Sequence, residues 1–130
     1  GLGCCALGNM CLGDDAAAAA RTQRAVAAGA IEAVVAALRT HAEVEALQRH
    51  GCCLLGNLCH GDDEAVAARR QKAVTAGAIE ALVAAMRAHA QVDAVQDLGC
   101  GMLGNLCHGD DAAAATRTQR AVAAGAIEAV

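Results

Sequence analysis

The sequence predicts an all-α protein built from tandem three-helix repeats, and two observations carry that prediction. The first is composition: apolar residues make up 56% of 130 positions, roughly half of them alanine, and Phe, Tyr, Trp and Pro are absent. Alanine is the strongest helix former and proline the strongest breaker, and the β-branched and aromatic enrichment of strands is missing. A core without aromatics draws its volume from Leu, Val, Ile, Met and Cys, which suits thin helices packed close together. The second observation is self-similarity. Gly3, Gly51 and Gly99 open similar blocks, GCCALGNMCLGDD, GCCLLGNLCHGDD and GCGMLGNLCHGDD, each 48 residues after the last.

Each block continues through a basic stretch (RTQR, RRQK, RTQR) to AGAIEA, at Gly29, Gly77 and Gly125. Residues 3–34 and 99–130 agree at 27 of 32 positions, surface positions included, which reads as recent duplication. The period divides the chain into a partial repeat 1–41, a full repeat 42–89 and a partial repeat 90–130. Residues 1–12 read as the rear of a third helix and Ala126–Val130 as the start of a second, so both ends are expected to fall inside a repeat.

The unit divides into three helices. Residues 62–76 form the first, with Asp62, Asp63 and Glu64 where a helix start favours negative charge and Arg69, Arg70 and Lys72 further along. Gly77 permits a sharp reversal. Residues 78–89 form the second, with Ile79, Leu82, Val83 and Met86 at helical spacing on one face. Residues 91–108 form the third, its stripe running through Val92, Val95, Leu98, Met102 or Leu103, and Leu106, with Gly109 at its end. Each stripe must be buried against neighbouring copies.

The pattern AGAIEALVAAMRAH followed by VQxxGCxxLGNL resembles an armadillo repeat, through the AGAI turn and the L-x-N-L ending of the third helix. The resemblance covers the whole chain in about two and two-thirds units. It implies a right-handed α-solenoid of armadillo-type three-helix repeats. The 48-residue period exceeds the family's usual length of about 42, and the excess is placed in a lengthened first helix.

In that family the third helices line a concave groove, and an asparagine near the end of each bonds the backbone of an extended peptide. The matching residues are Asn9, Asn57 and Asn105. A side-chain amide has both donors and an acceptor, so it can satisfy a strand-like partner without reading its sequence. The competing reading is that each Asn bonds only within its own chain. A tryptophan that clamps lysine in the nuclear-import members falls here on Cys5, Cys53 and Gly101, so that recognition mode is lost. One turn further back, Arg49 and His50 are matched by Asp97 and Leu98, a charge difference that makes these positions candidates for partner selectivity.

Eight cysteines invite a disulfide or metal reading. Cys4/Cys11, Cys52/Cys59 and Cys100/Cys107 are seven apart in one helix, about 10 Å along its axis, and equivalent cysteines of adjacent repeats are about 8–10 Å apart. Neither separation suits a bridge, and no C-x-x-C occurs. Cysteines packing helix interfaces are the expectation, and free thiols in such numbers point to a reducing, intracellular compartment, cytoplasm or nucleus. Cys59–Asp63 and Cys107–Asp111 resemble ligand runs, but Leu12 replaces the histidine in the first copy. No metal and no cofactor are expected.

Arg21, Arg24, Arg69, Arg70, Lys72, Arg117 and Arg120 all fall in first helices and could stack into a basic ladder. Each lies within a helix of its own Asp pair, and no aromatic is present for base stacking, so a solvated and locally neutralised face is expected. Net charge is −4, with 10 basic and 14 acidic residues, which gives no global pull toward nucleic acid. No apolar stretch approaches the ~20 residues that span a bilayer. There is no serine and no nucleophile–base constellation, so no catalytic residue and no small-molecule substrate are assigned. The expectation is a non-enzymatic scaffold that holds an extended or helical segment of another protein along the groove. The alternatives are a structural or docking segment of a larger signalling or ubiquitin-pathway protein, and a nucleic-acid binder using the basic ladder.

Overall fold

The computed structural model describes residues 16–60, 64–108 and 112–125. These form seven helices and no strand: α1 (Ala16–Ala27), α2 (Ala30–Thr40), α3 (Glu45–Leu58), α4 (Glu64–Thr75), α5 (Ala78–Ala88), α6 (Asp93–Leu106) and α7 (Ala112–Ala123). Helix boundaries repeat at the 48-residue period. The first helix of each unit is 12 residues long, the second 11 and the third 14. Gly109, Asn9, Cys4, Cys5, Cys11, Leu12 and the three Asp pairs, all of which carry expectations above, lie outside the described residues.

Gly29, Gly77 and Gly125 take φ of 92°, 98° and 89°, the left-handed conformation expected at the reversal. At Gly77 the amide bonds the Val74 carbonyl and the carbonyl accepts from Ala81, so one residue closes α4 and opens α5. The second helices then bury the predicted face: Ile79, Leu82, Val83 and Met86 are no more than 2% exposed, as are Ile31, Val35 and Leu38 at equivalent positions in α2. Burying each such side chain contributes about 1.5–3 kcal/mol.

The third helices are shorter than expected at both ends. Val44 and Val92 are extended and precede the helices, and Cys59 and Cys107 are the residues at which they stop. Val95, Met102, Leu103 and Leu106 are buried as the stripe requires, whereas Val92 and Leu98 are only half-buried. The second and third helices each pack on their counterparts one period later, α2 on α5 and α3 on α6, so the core runs continuously between units.

Two glycines set how close these layers come. A Cβ on Gly51 would sit 2.5 Å from Leu38 Cδ2, and one on Gly99 would sit 2.6 Å from Met86 Cγ. A buried glutamine ties the same layers together. Gln48 Nε2 donates to the carbonyls of Leu38 (3.2 Å) and His41 (2.9 Å), and Gln96 repeats the contact to Met86 (2.8 Å) and His89 (3.0 Å). These amides bond carbonyls where the second helix ends, adding a second donor at His41 and His89, whose carbonyls also accept from Val44 and Val92. Gln48 is fully buried, and its Oε1 has no partner among the described residues.

Candidate partner-binding face

The exposed face of the third helices follows from their periodicity. In α3 the buried positions Leu47, Gln48, Gly51, Cys52, Leu54, Leu55 and Leu58 leave Arg49, His50 and Cys53 in solvent, with Gly56 and Asn57 half-buried. In α6 the corresponding stripe carries Asp97, Gly101 and Gly104, with Leu98 and Asn105 half-buried. Because α3 and α6 pack side by side, the two stripes lie next to each other, about 8–10 Å apart. Small side chains at Cys53, Gly56, Gly101 and Gly104 keep the centre of the face low.

The two described asparagines differ. No partner for the Asn57 amide is found among the described residues. Asn105 Oδ1 instead accepts a hydrogen bond from Arg70 Nε at 2.9 Å, between residues on different helices. Arg70, one of the cations placed in the basic ladder, is thus paired with Asn105. The sequence shows only that Arg70 breaks the period, since the residues 48 positions either side are Thr22 and Thr118. Arg49 lies 3.8 Å from Glu45 in an exposed pair on one helix turn, a contact contributing well under 1 kcal/mol.

Some of the first-helix cations are less solvated than the locally neutralised, solvated face expected of them. Arg117 is only 5% exposed; its Nε donates to the Leu106 carbonyl at 2.5 Å, its Nη2 to the His108 carbonyl at 3.1 Å and its Nη1 to Gln71 Oε1 at 3.4 Å. Arg69 is half-buried and repeats the pattern on Leu58 (2.5 Å) and His60 (3.5 Å). Both therefore hold the C-terminal end of the preceding third helix, where carbonyls lack helical donors and the helix dipole favours a cation. Lys72 and Arg120 reach Glu32 and Glu80 of the preceding unit, at 3.9 Å and 2.6 Å. The partners found are thus carbonyls at the end of the preceding third helix and glutamates of the preceding unit's second helix. The Glu in each AGAIEA was the available signal. Arg21 is exposed and engaged within the protein, and Arg24 is exposed.

The five described cysteines, Cys52, Cys53, Cys59, Cys100 and Cys107, are free. Burial pushes the Cys52 thiol up to about 12, with Cys53 adding to the effect. Burial pushes Cys59 up to about 11 against the opposing pull of Arg69 and Arg70. Both thiols therefore stay protonated and poorly nucleophilic at neutral pH. Below about pH 9 the folded and unfolded chains both keep these protons. Above that, the unfolded chain releases them and the folded chain does not, so stability is lost as pH rises through about 9 to 12. Urea unfolding from pH 8 upward is expected to show this decline, and a Cys52→Ala, Cys59→Ala variant to show a shallower one. Equal slopes would mean that the thiols remain solvated.

No group of three or more His, Cys, Asp or Glu placed to hold a metal occurs among the described residues. A depression of about 440 Å³ lies away from the third helices, lined by Glu32, Ala68, Gln71, Lys72, Thr75 and Ala76. No helix among the described residues is long and apolar enough to cross a membrane. Compared with protein-family models, with curated proteins and with solved structures, the chain gives no match.

Proposed function

We propose that the chain is a stretch of right-handed α-solenoid of armadillo type, acting without catalysis, that holds an extended segment of a partner protein across α3 and α6. The observation that carries this reading is the face itself. Two packed third helices present small residues at the centre, an amide at each end position and charges of opposite sign at Arg49 and Asp97. An amide such as Asn57 would otherwise be left to water, and it suits a strand backbone that needs both a donor and an acceptor. Arg69 and Arg117, which could have served an anionic partner elsewhere, are engaged internally on backbone carbonyls. This favours the third-helix face over the first-helix edge as the contact surface.

The charges define the partner's chemistry. An extended chain advances about 3.3 Å per residue, so residues about three apart would face equivalent positions of adjacent helices. A segment with an acidic residue over Arg49 and His50 and a basic residue over Asp97 complements the face, with electrostatics setting register more than affinity.

The test begins with selection of linear peptides from a random displayed library. The double variant Asn57→Ala, Asn105→Ala is expected to weaken the selected peptides about tenfold or more, consistent with loss of two backbone-directed hydrogen bonds, while the protein stays folded and its unfolding midpoint falls only by what loss of the Arg70–Asn105 bond accounts for. Unchanged affinity would remove the groove reading.

A further inference from the structure

The two asparagines differ in a way that bears on what each can recognise. A guanidinium has only donors, so the amide atom that faces Arg70 Nε at 2.9 Å must be the oxygen of Asn105. Oδ1 is thereby turned toward α4, and Nδ2, on the other arm of the planar amide, projects away from Arg70. Both side chains are half-buried, so the charge-assisted bond is partly shielded from water.

Among the described residues the contact occurs in one unit. Thr118, one period after Arg70, turns its hydroxyl back onto the Ala114 carbonyl at 3.0 Å in its own helix. Thr22, one period before, stands where the Asn57 amide would need an arginine, and it is too short to serve as one. It is buried, at 8% exposure. Asn57, without a partner among the described residues, keeps its oxygen and its N–H groups available together.

We propose that Arg70 makes the two rungs of the groove chemically inequivalent by orientation: Asn57 bonds both the N–H and the C=O of one partner residue, whereas Asn105, its oxygen turned toward Arg70 and α4, presents its N–H groups to the partner and bonds a C=O. The partner residue seated on Asn105 therefore needs no backbone N–H, and proline or another N-alkylated residue is accepted there. The residue seated on Asn57 must carry its N–H, because an N-alkyl group would leave the Asn57 oxygen desolvated and unpaired. Arg70 is in this sense a positioning residue that sets specificity through Asn105. The inference rests on the groove reading above.

The experiment is an N-methyl scan of a peptide selected from the random library, with binding measured to the wild type, Arg70→Thr and Arg70→Lys. Asn57→Ala and Asn105→Ala identify which peptide residue lies on which rung, since each removes the response at its own position. In the wild type, N-methylation over Asn57 is expected to weaken binding about tenfold and over Asn105 less than about twofold. Arg70→Thr installs the residue of the other two copies and frees the oxygen. The penalty over Asn105 then rises to about tenfold, while Arg70→Lys, which still donates, leaves the wild-type pattern. An unfolding midpoint measured for each variant separates this change from loss of fold. Equal penalties at the two rungs in the wild type, or an unchanged scan in Arg70→Thr, would overturn the proposal while leaving the groove intact. If no selected peptide responds to Asn57→Ala or Asn105→Ala, the groove reading itself fails, and this inference with it.

Discussion

Gly51→Ala and Gly99→Ala are each expected to destabilise the protein, although alanine is the better helix former by about 1 kcal/mol. The added methyl would meet Leu38 Cδ2 at 2.5 Å or Met86 Cγ at 2.6 Å. Neither neighbour has room to retreat, being about 1% exposed in the continuous core. Overpacking of this kind costs about 1–3 kcal/mol, which set against the propensity gain leaves a net loss of up to about 2 kcal/mol. Gly56, Gly101 and Gly104 are helical glycines with no heavy atom within 4 Å of an added Cβ, so alanine there should stabilise by about 0.5–1 kcal/mol. Opposite signs at the two sets, read from urea midpoints, are the expected outcome. Leu38→Val should recover part of the loss in Gly51→Ala, because it withdraws a methyl from the collision. A coupling energy near zero between those two substitutions would show that the close approach is not what excludes a side chain.

Arg117→Ala should be the most damaging change of a charged residue. It removes the donor from the Leu106 and His108 carbonyls in a site where the side chain is only 5% exposed. A buried acceptor left without its bond costs about 1–3 kcal/mol, and loss of a cation at a helix C-terminus adds a few tenths. A net loss of about 2–3 kcal/mol is expected. Arg117→Lys should recover little, since one ammonium cannot span the fork that reaches Leu106, His108 and Gln71. Arg69→Ala, with the same geometry in a half-exposed setting and a longer contact to His60, should cost about half as much. Arg24→Ala, on the exposed side of α1, should change stability by less than about 0.5 kcal/mol. Equal effects at Arg24 and Arg117 would contradict the capping role.

Much of this arrangement is legible without coordinates because it is periodic. The AGAIEA blocks locate the turns, and all three glycines are left-handed as a chain reversal requires. The 3-4-3 spacing of Ile79, Leu82, Val83 and Met86 identifies the buried face of α5, since a helix turns 3.6 residues per revolution whatever its surroundings. The exposed stripe bearing Arg49, His50 and Cys53 is the complement of that rule applied to α3. The expectation weakened where the relevant neighbour was another element. Helix ends moved inward at Val44 and Val92, because an extended residue there lets Gln48 and Gln96 reach back to the carbonyls of the preceding helix.

The charged residues mark the boundary most clearly. Along the chain, Arg117 has alanines and threonines before it and reads as solvated; in the fold its acceptor lies 11 residues back, at the end of a different helix. Arg70 and Asn105 are 35 residues apart, and nothing in the spacing pairs them. The sequence by itself determined the helical class, the 48-residue unit, the three reversals and the apolar faces, because each depends on local conformational preference or on helix periodicity. Only the tertiary structure decided which polar groups meet: which arginines are spent on carbonyls, which asparagine turns its oxygen to an arginine, and which glycines cannot carry a methyl. Those outcomes depend on distances of a few ångströms between helices packed side by side, and such distances are set by the packing of all the units together.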